Sequence, residues 1–441
     1  MTTSARRHAL TFGRGVWESA LALALLCALP MAGMQSAQAQ TFSVVHIFTG
    51  GGDGAIPQAG LTMDAAGNFY GTTSSGGYMG SGECRTRNGC GVVFKLTHKS
   101  SGWILTPFYA FQGGTDGNGP LSRVVPGPGG GLYGTTYSGG SPGCSGDTCG
   151  IVYRVTPQAR VCEKAFCSGT ETVLYRFTDG SDGANPTWGD LNFDQAGNIY
   201  GTALQGGDNN VGAVFKLSPS QGSWTESTLY SFALETGAYP QSGVIFDSAG
   251  NLYGAASNYG LYGSGMIYQL FASASGWTER TLYSFQGTTD GLGPVGGLVF
   301  DRAGNLYGAT VAGGTGSAGG TVYKLTNLHG SWSFATLYSL IGAYGGPDDS
   351  LTMDAAGNLY GTTYEDGAYG YGSVFKLAPQ GDGTWLYTDL HDFTPRSDDG
   401  RWPVGSVFID ANGNLFGTAS GGGDRSHCDT VGCGVIWEIT P

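Results

Sequence analysis

Five Asp-Gly pairs recur in the sequence, each in a D-G-x-x-P setting: Asp53-Gly54, Asp116-Gly117, Asp182-Gly183, Asp290-Gly291 and Asp399-Gly400. A ring of carboxylates could hold calcium, which asks for several oxygen ligands. The same residues also build turns, because Asp and Gly start them and Pro sets the direction of the next segment. Their recurrence favours the turn, and calcium stands as the one cofactor to test. A second set of polar side chains lies in three Gly-rich stretches, 74–90, 137–149 and 420–433. These hold Glu83, Arg85, Arg87, Asp147, Asp424, Arg425, His427 and Asp429. Such a mixture could grip a glycan or a peptide, or form a solvated loop rim. His427 could act as an acid, a base or a metal ligand, but its stretch supplies no second histidine and no nucleophile. Trp188 and Trp402 stand outside the repeating positions, as do Tyr78, Tyr259, Tyr262, Tyr369 and Tyr371. Exposed aromatic rings among Gly and Ser suit carbohydrate or protein contact.

A third set, Asp64, Asp194, Asp247, Asp301, Asp354 and Asp410, opens the pattern D-x-x-G-N; the second copy has Gly127 instead. The spacing fits a side chain that caps its own hairpin turn. It lacks the alternating carboxylates of an EF-hand loop. No catalytic residue is assigned. An enzyme reading rests only on channel-mouth carboxylates acting on a polysaccharide.

The elements that must position these residues are repeats. A stretch such as Asn305-Leu306-Tyr307-Gly308 occurs seven times, its glycines at 71, 134, 201, 254, 308, 361 and 417. The fifth copy reads as four strands: PVGGLVFD, NLYGAT, TVYKL and ATLYSL. Apolar runs split by Gly-rich turns form a small antiparallel sheet, called here strands A to D. The last copy stops after strand C, and Val44-Val45-His46-Ile47-Phe48 precedes the first copy and matches strand D. The expectation is an all-β, seven-bladed propeller with four antiparallel strands per blade. Its ring closes when the N-terminal strand (about 43–48) joins the last blade, which removes open sheet edges. The B–C loops and D-to-A links share one face, the top, and the three long loops raise one sector of it.

The repeat P-x6-D-x-x-G-N-L-Y-G-T-T … G-x-V-F-K-L … W … L-Y-S-F resembles the GloVer tandem repeat of exported bacterial proteins, over 41–441. The strand order is similar to that of NHL-type propellers. The resemblance implies the fold and names no activity.

The address is read from the first residues. Arg6, Arg7 and Arg14, an apolar run 20–29 and Ala37-Gln38-Ala39 form a secretory signal peptide over 1–39. Leu26 before Cys27 is too large for a lipid-anchor cleavage site. No further run is long enough to insert in a membrane, and the domain expected is a single propeller over 40–441. Cysteines pair closely after cleavage: Cys84 with Cys90, Cys144 with Cys149, Cys162 with Cys167, Cys428 with Cys433. In an exported chain these read as local disulfides. The net charge of −13 disfavours nucleic acid and anionic membranes. The function expected is an exported binding or interaction scaffold using its top-face loops toward an extracellular glycan or protein. The alternatives are the polysaccharide-acting enzyme and a purely structural envelope or matrix protein.

Overall fold

The computed structural model describes residues 40–441 apart from 81, 87, 141–148, 158–168, 275, 316–318, 343–344, 397 and 427. The expected signal peptide lies outside the described residues. Residues 42–440 form one compact unit of seven antiparallel sheets. Blade five is typical in its outer strands: B is Leu306–Ala312, C is Thr321–Leu328 and D is Ser331–Ser339. In blade seven, strand B is Leu415–Gly421, C is Val435–Thr440 and D is Thr41–Ile47, so the N-terminal strand closes the ring. The closing strand begins slightly earlier than the sequence suggests, and Phe48 has already left it.

Strand A differs from expectation. The sequence reads as eight residues, but the ladder to strand B is two residues long in most blades, as at Thr62–Met63 or Ile245–Phe246. Only blade five keeps a long one, Leu292–Phe300, and its register slips between Val295 and Val299. The rest of the segment accepts hydrogen bonds from strand B of the preceding blade. Thr72 Oγ1 donates to the Ser122 carbonyl at 3.0 Å, Thr202 to Ser242 at 2.8 Å, and Thr418 to Ala59 at 3.0 Å across the closure.

The seven motif glycines are fixed by space. A Cβ on Gly71 would lie 2.5 Å from the Phe94 ring, one on Gly308 2.3 Å from Tyr323 Oη, and one on Gly417 2.2 Å from Trp437. In every blade a buried strand-C aromatic ring lies over the neighbouring strand B, and only hydrogen leaves it room.

The D-x-x-G-N aspartates cap their hairpins as expected. Asp301 Oδ1 accepts the N–H groups of Ala303 and Asn305, and Oδ2 accepts Asn305 Nδ2 and Tyr307 Oη. Burial works against ionisation of Asp301, but these donors outweigh it and hold its carboxyl below the ordinary value. In blade two, where Gly127 stands, Tyr133 donates instead to the Pro128 carbonyl.

Neighbouring blades also meet along an outer seam. A strand-D residue opposite the strand-C Leu or Val (Glu171, Glu226, Glu279, Phe334 or Tyr387) faces a strand-D tyrosine of the preceding blade. Phe334 stacks on Tyr283 at 3.9 Å, Tyr387 on Tyr338 at 4.7 Å, and Phe42 of the closing strand on His391 at 3.6 Å.

Candidate functional site: the channel and its top rim

The D-G-x-x-P aspartates each serve their own link. Asp182 accepts Tyr175 Oη and the N–H groups of Thr178 and Gly180, with Thr178 Oγ1 as a further donor. Asp290 and Asp116 each accept a tyrosine hydroxyl and a link N–H. His46 and His391 replace the tyrosine at Asp53 and Asp399. Burial opposes ionisation of these last two, but the histidine and threonine donors prevail and hold both below the ordinary value. The five carboxylates are therefore turn anchors. Among the described residues, no three acidic, histidine or cysteine side chains gather to hold a metal.

A different set of charges lies inside. Each strand-A segment carries a buried apolar residue: Leu61, Val124, Leu191, Val244, Leu298, Leu351 or Val407. The residue before it is Gly60, Arg123, Asp190, Gly243, Gly297, Ser350 or Ser406. Five blades thus place a small residue there, and blades two and three place an ion pair, Arg123 with Asp190. One position earlier only blade six is charged, at Asp349; one before that holds Asp348 in blade six and Trp188 in blade three. A cavity of about 270 Å³ is lined by residues that include Arg123, Trp188, Asp190, Asn192, Ser350 and Ser406.

The carboxyls of blade six are strained electrostatically. Burial and the nearby Asp190 push Asp349 up to about 6, although Arg123 and the Ser350 N–H pull the other way. Burial and Asp349 push Asp348 up to about 7. Asp348 is exposed and Asp349 half-buried.

The rim above is set by the residue before each strand-A proline. Ile56, Asn185, Tyr239 and Trp402 adopt left-handed φ of 56°, 52°, 57° and 54°. The cause is a bond across the seam. Their N–H groups donate at 2.8 Å to Cys433, Cys149, Val211 and Tyr371 carbonyls of the preceding blade. Such backbone strain costs on the order of 1 kcal/mol per residue and persists only where the surroundings enforce it. Trp402 stacks on Tyr364 at 5.8 Å and carries the Arg401 guanidinium 4.5 Å over its ring. Arg401 is anchored by the Thr430 and Val431 carbonyls. Burial, Glu365 and Asp348 push the Tyr364 hydroxyl up, while Arg401 pulls it down.

Of the contact residues expected from sequence, Trp188 lines the cavity and Trp402 stands on the rim. The charged candidates belong to the raised loops. Glu83, on a short helix Gly82–Thr86, accepts Asn118 Nδ2 at 2.5 Å. Arg85 is exposed. Asp424 Oδ1 accepts the Ser426 N–H at 2.7 Å, and Arg425 reaches the Pro395 carbonyl at 3.3 Å. Arg87, Asp147, His427 and the Asp429 side chain lie outside the described residues. Cys84–Cys90 and Cys428–Cys433 are disulfides and Cys149 is disulfide-bonded; Cys144, Cys162 and Cys167 lie outside the described residues. Cys149 and Cys433 offer the very carbonyls that dock the next blade, as Cys90 does for Gly119. These bridges therefore brace seams. Arg123, Asp190, Asp348 and Asp349 were not singled out from sequence. Their signal is a departure from the repeat, visible once the seven strand-A segments are laid over one another.

A model of the Gloeobacter/Verrucomicrobia repeat matches residues 86–300 and 248–441. The chain belongs to that family. No curated protein matches this Gloeobacter/Verrucomicrobia repeat protein in sequence. Among solved structures, it resembles the extracellular domain of a protein described as a hybrid two component system from B. thetaiotaomicron. The two are 11% identical with a TM-score of 0.51, over 90% of this chain and 39% of that one. The chain thus spans well under half the length of that domain. A protein described as a 6-phosphogluconolactonase from Bacteroides uniformis is 13% identical with a TM-score of 0.48, over 75% of this chain and 83% of that one. At these identities the likeness is one of fold.

Proposed function

We propose that this propeller is an exported binding module that takes a small polar ligand at the top mouth of its channel. The observation that supports it is the broken repeat: Arg123 and Asp190 form an ion pair at a position where the other five blades hold Gly or Ser. A blade needs nothing charged there, so the pair is surplus to the fold. Charged side chains that line one cavity with the aromatic ring of Trp188 suit a hydroxyl-rich molecule such as a saccharide, gripped by polar groups and covered by a ring. Export is supported by the N-terminal sequence and by the disulfides. The polysaccharide-acting reading loses its motive, because the link aspartates it would use are occupied by their own turns.

The test is thermal melting of the purified oxidised chain against a panel of mono- and disaccharides and polyols. A binder raises Tm in proportion to its saturation. The paired substitution Arg123→Ser with Asp190→Gly writes in the residues other blades use, so the fold should survive and the shift should vanish. A ligand shift that persists in the double variant would place binding elsewhere.

A further inference from the structure

Blade three carries one residue too many. In the other six blades the strand-A proline and the buried apolar residue stand four apart: Pro57 and Leu61, Pro120 and Val124, Pro240 and Val244, Pro294 and Leu298, Pro347 and Leu351, Pro403 and Val407. In blade three Pro186 and Leu191 stand five apart. Both ends hold their usual places. Pro186 lies against Gly150 as Pro120 lies against Gly91, and Leu191 against Gly201 as Leu61 against Gly71. The surplus residue therefore bulges between fixed ends. It does so at Thr187-Trp188-Gly189, where the Gly189 N–H turns back to the Thr187 carbonyl and Trp188 takes a left-handed φ of 44°.

This bulge is unfavourable in three ways. A bulky residue fits left-handed backbone poorly. The Thr187 hydroxyl is buried without a hydrogen-bond partner. A seam bond is also missing. Thr72, Thr202, Thr362 and Thr418 each follow a motif glycine and donate to a carbonyl in the strand-A segment of the next blade. Thr135 holds the same position facing blade three, but it pairs with Ser122 of its own blade at 2.9 Å. What the bulge gains is the placement of one side chain: Trp188 is 39% exposed and lines the cavity with Arg123 and Asp190.

Resting on the channel-mouth reading above, we propose that Trp188 is a stacking platform and that the ligand is a pyranose. One face of the sugar ring, made of C–H groups, lies on the indole, whose face is apolar and slightly negative. Hydroxyls at the edge of the sugar reach Arg123 and Asp190, a donor and an acceptor side by side. A cavity of about 270 Å³ suits a single sugar unit rather than a chain. An open-chain polyol brings the same hydroxyls but no flat face. Contact with the indole is the gain that offsets the unfavourable backbone at this one seam.

The probes are glucose, galactose, sorbitol and galactitol, titrated calorimetrically into the intact oxidised protein. The two pyranoses should bind about tenfold tighter than the two open-chain polyols. Two variants then remove the ring. Deleting Trp188 restores the spacing of the other six blades. Trp188→Gly keeps the chain length and gives the left-handed position to a residue that adopts it freely. Each should erase the pyranose advantage without lowering Tm. Equal affinity for rings and open chains would overturn the stacking role and leave the channel site standing. An undiminished advantage in Trp188→Gly would overturn the assignment to this residue. A clear fall in Tm in both variants would make Trp188 a packing residue of the seam and refute the inference. No heat from any of the four probes would sink it too, whereas the saccharide and polyol panel separately decides the reading beneath it.

Discussion

Between blades one and four, the outer-seam residue facing the neighbouring tyrosine is a glutamate: Glu171 before Tyr109, Glu226 before Tyr175, Glu279 before Tyr230. Between blades four and seven it is a ring: Phe334, Tyr387 and Phe42. The backbone position is shared, since each of these strand-D residues from Glu171 to Tyr387 pairs with the same strand-C site. The repeat dictates that a side chain must cover this seam. It does not dictate whether the cover is apolar or ionisable. One half of the ring is closed by stacking, and two of its three seams stack rings that carry no group titrating near neutral pH. The other is closed by carboxyls that burial pushes toward neutrality, with Asp116 and Asp182 adding to the push at Glu171 and Glu226, which reach about 7. Glu279 is raised by burial, against the Thr281 hydroxyl, without an aspartate in that role.

The strongest way to break this comparison is at the stacked side. Phe334→Ala removes a ring packed on Tyr283 and should cost about 2 kcal/mol, below the range for a fully buried Phe because Phe334 is half-buried. Glu279→Ala at the preceding seam should cost well under half of that at pH 5. Urea midpoints of the two variants decide it, and equal losses would mean the seams are held alike.

A pH series sharpens the other side. A native carboxyl near 7, against an ordinary value of 4.5, binds more protons folded than unfolded between those two values. Its contribution to stability is therefore fully present below about 4.5 and is lost as pH rises through 7. Glu171→Gln with Glu226→Gln should leave stability unchanged near pH 4.5 and raise it at pH 8. The gain should be about 1 kcal/mol per site, discounted from the full shift because water reaches both groups. Melting curves that stay parallel to wild type at both pH values would refute this.

A finer test copies one seam into another. Thr236 takes the place of the link aspartate beside Tyr230, accepting or donating at 3.0 Å. Thr236→Asp should give Glu279 the acidic neighbour that Glu171 and Glu226 already have. The extra loss between pH 5 and pH 8 should be a few tenths of a kcal/mol, as for other half-exposed charge pairs, and should disappear when Glu279→Gln is added. The smallest effect concerns calcium. With each link aspartate satisfied by its own blade, 1 mM calcium, a probe concentration of about that order for a weak extracellular site, should leave Tm unmoved. A rise of several degrees would mean that the link ring, or another site, does coordinate the ion.

The fold could be read from the sequence because seven copies repeat every demand that a blade makes: a glycine under a strand-C ring, an aspartate under its own hairpin, a split last blade. Averaging over copies strengthens such signals. The channel site was illegible for the same reason, since Arg123 and Asp349 each occur in one copy and look like noise inside a pattern. Raised-loop residues such as Arg425 and Glu83 attracted notice through local polarity, yet both make loop-bracing bonds. Trp188 and Trp402 were found because a bulky ring in a repeat of small residues is conspicuous by itself. The brevity of strand A was also hidden. Sequence shows an apolar run but not that half of it bonds to the preceding blade.

The closing strand has a consequence for how the ring is made. Thr41–Ile47 is synthesised before any blade, but its partner Val435–Thr440 comes at the far end of the chain. Until they meet, each molecule exposes one unpaired strand and one open sheet edge that fit each other, and they fit those of another copy equally well. At high concentration, refolding should therefore yield pairs that have exchanged their first strands, each ring closed by its neighbour.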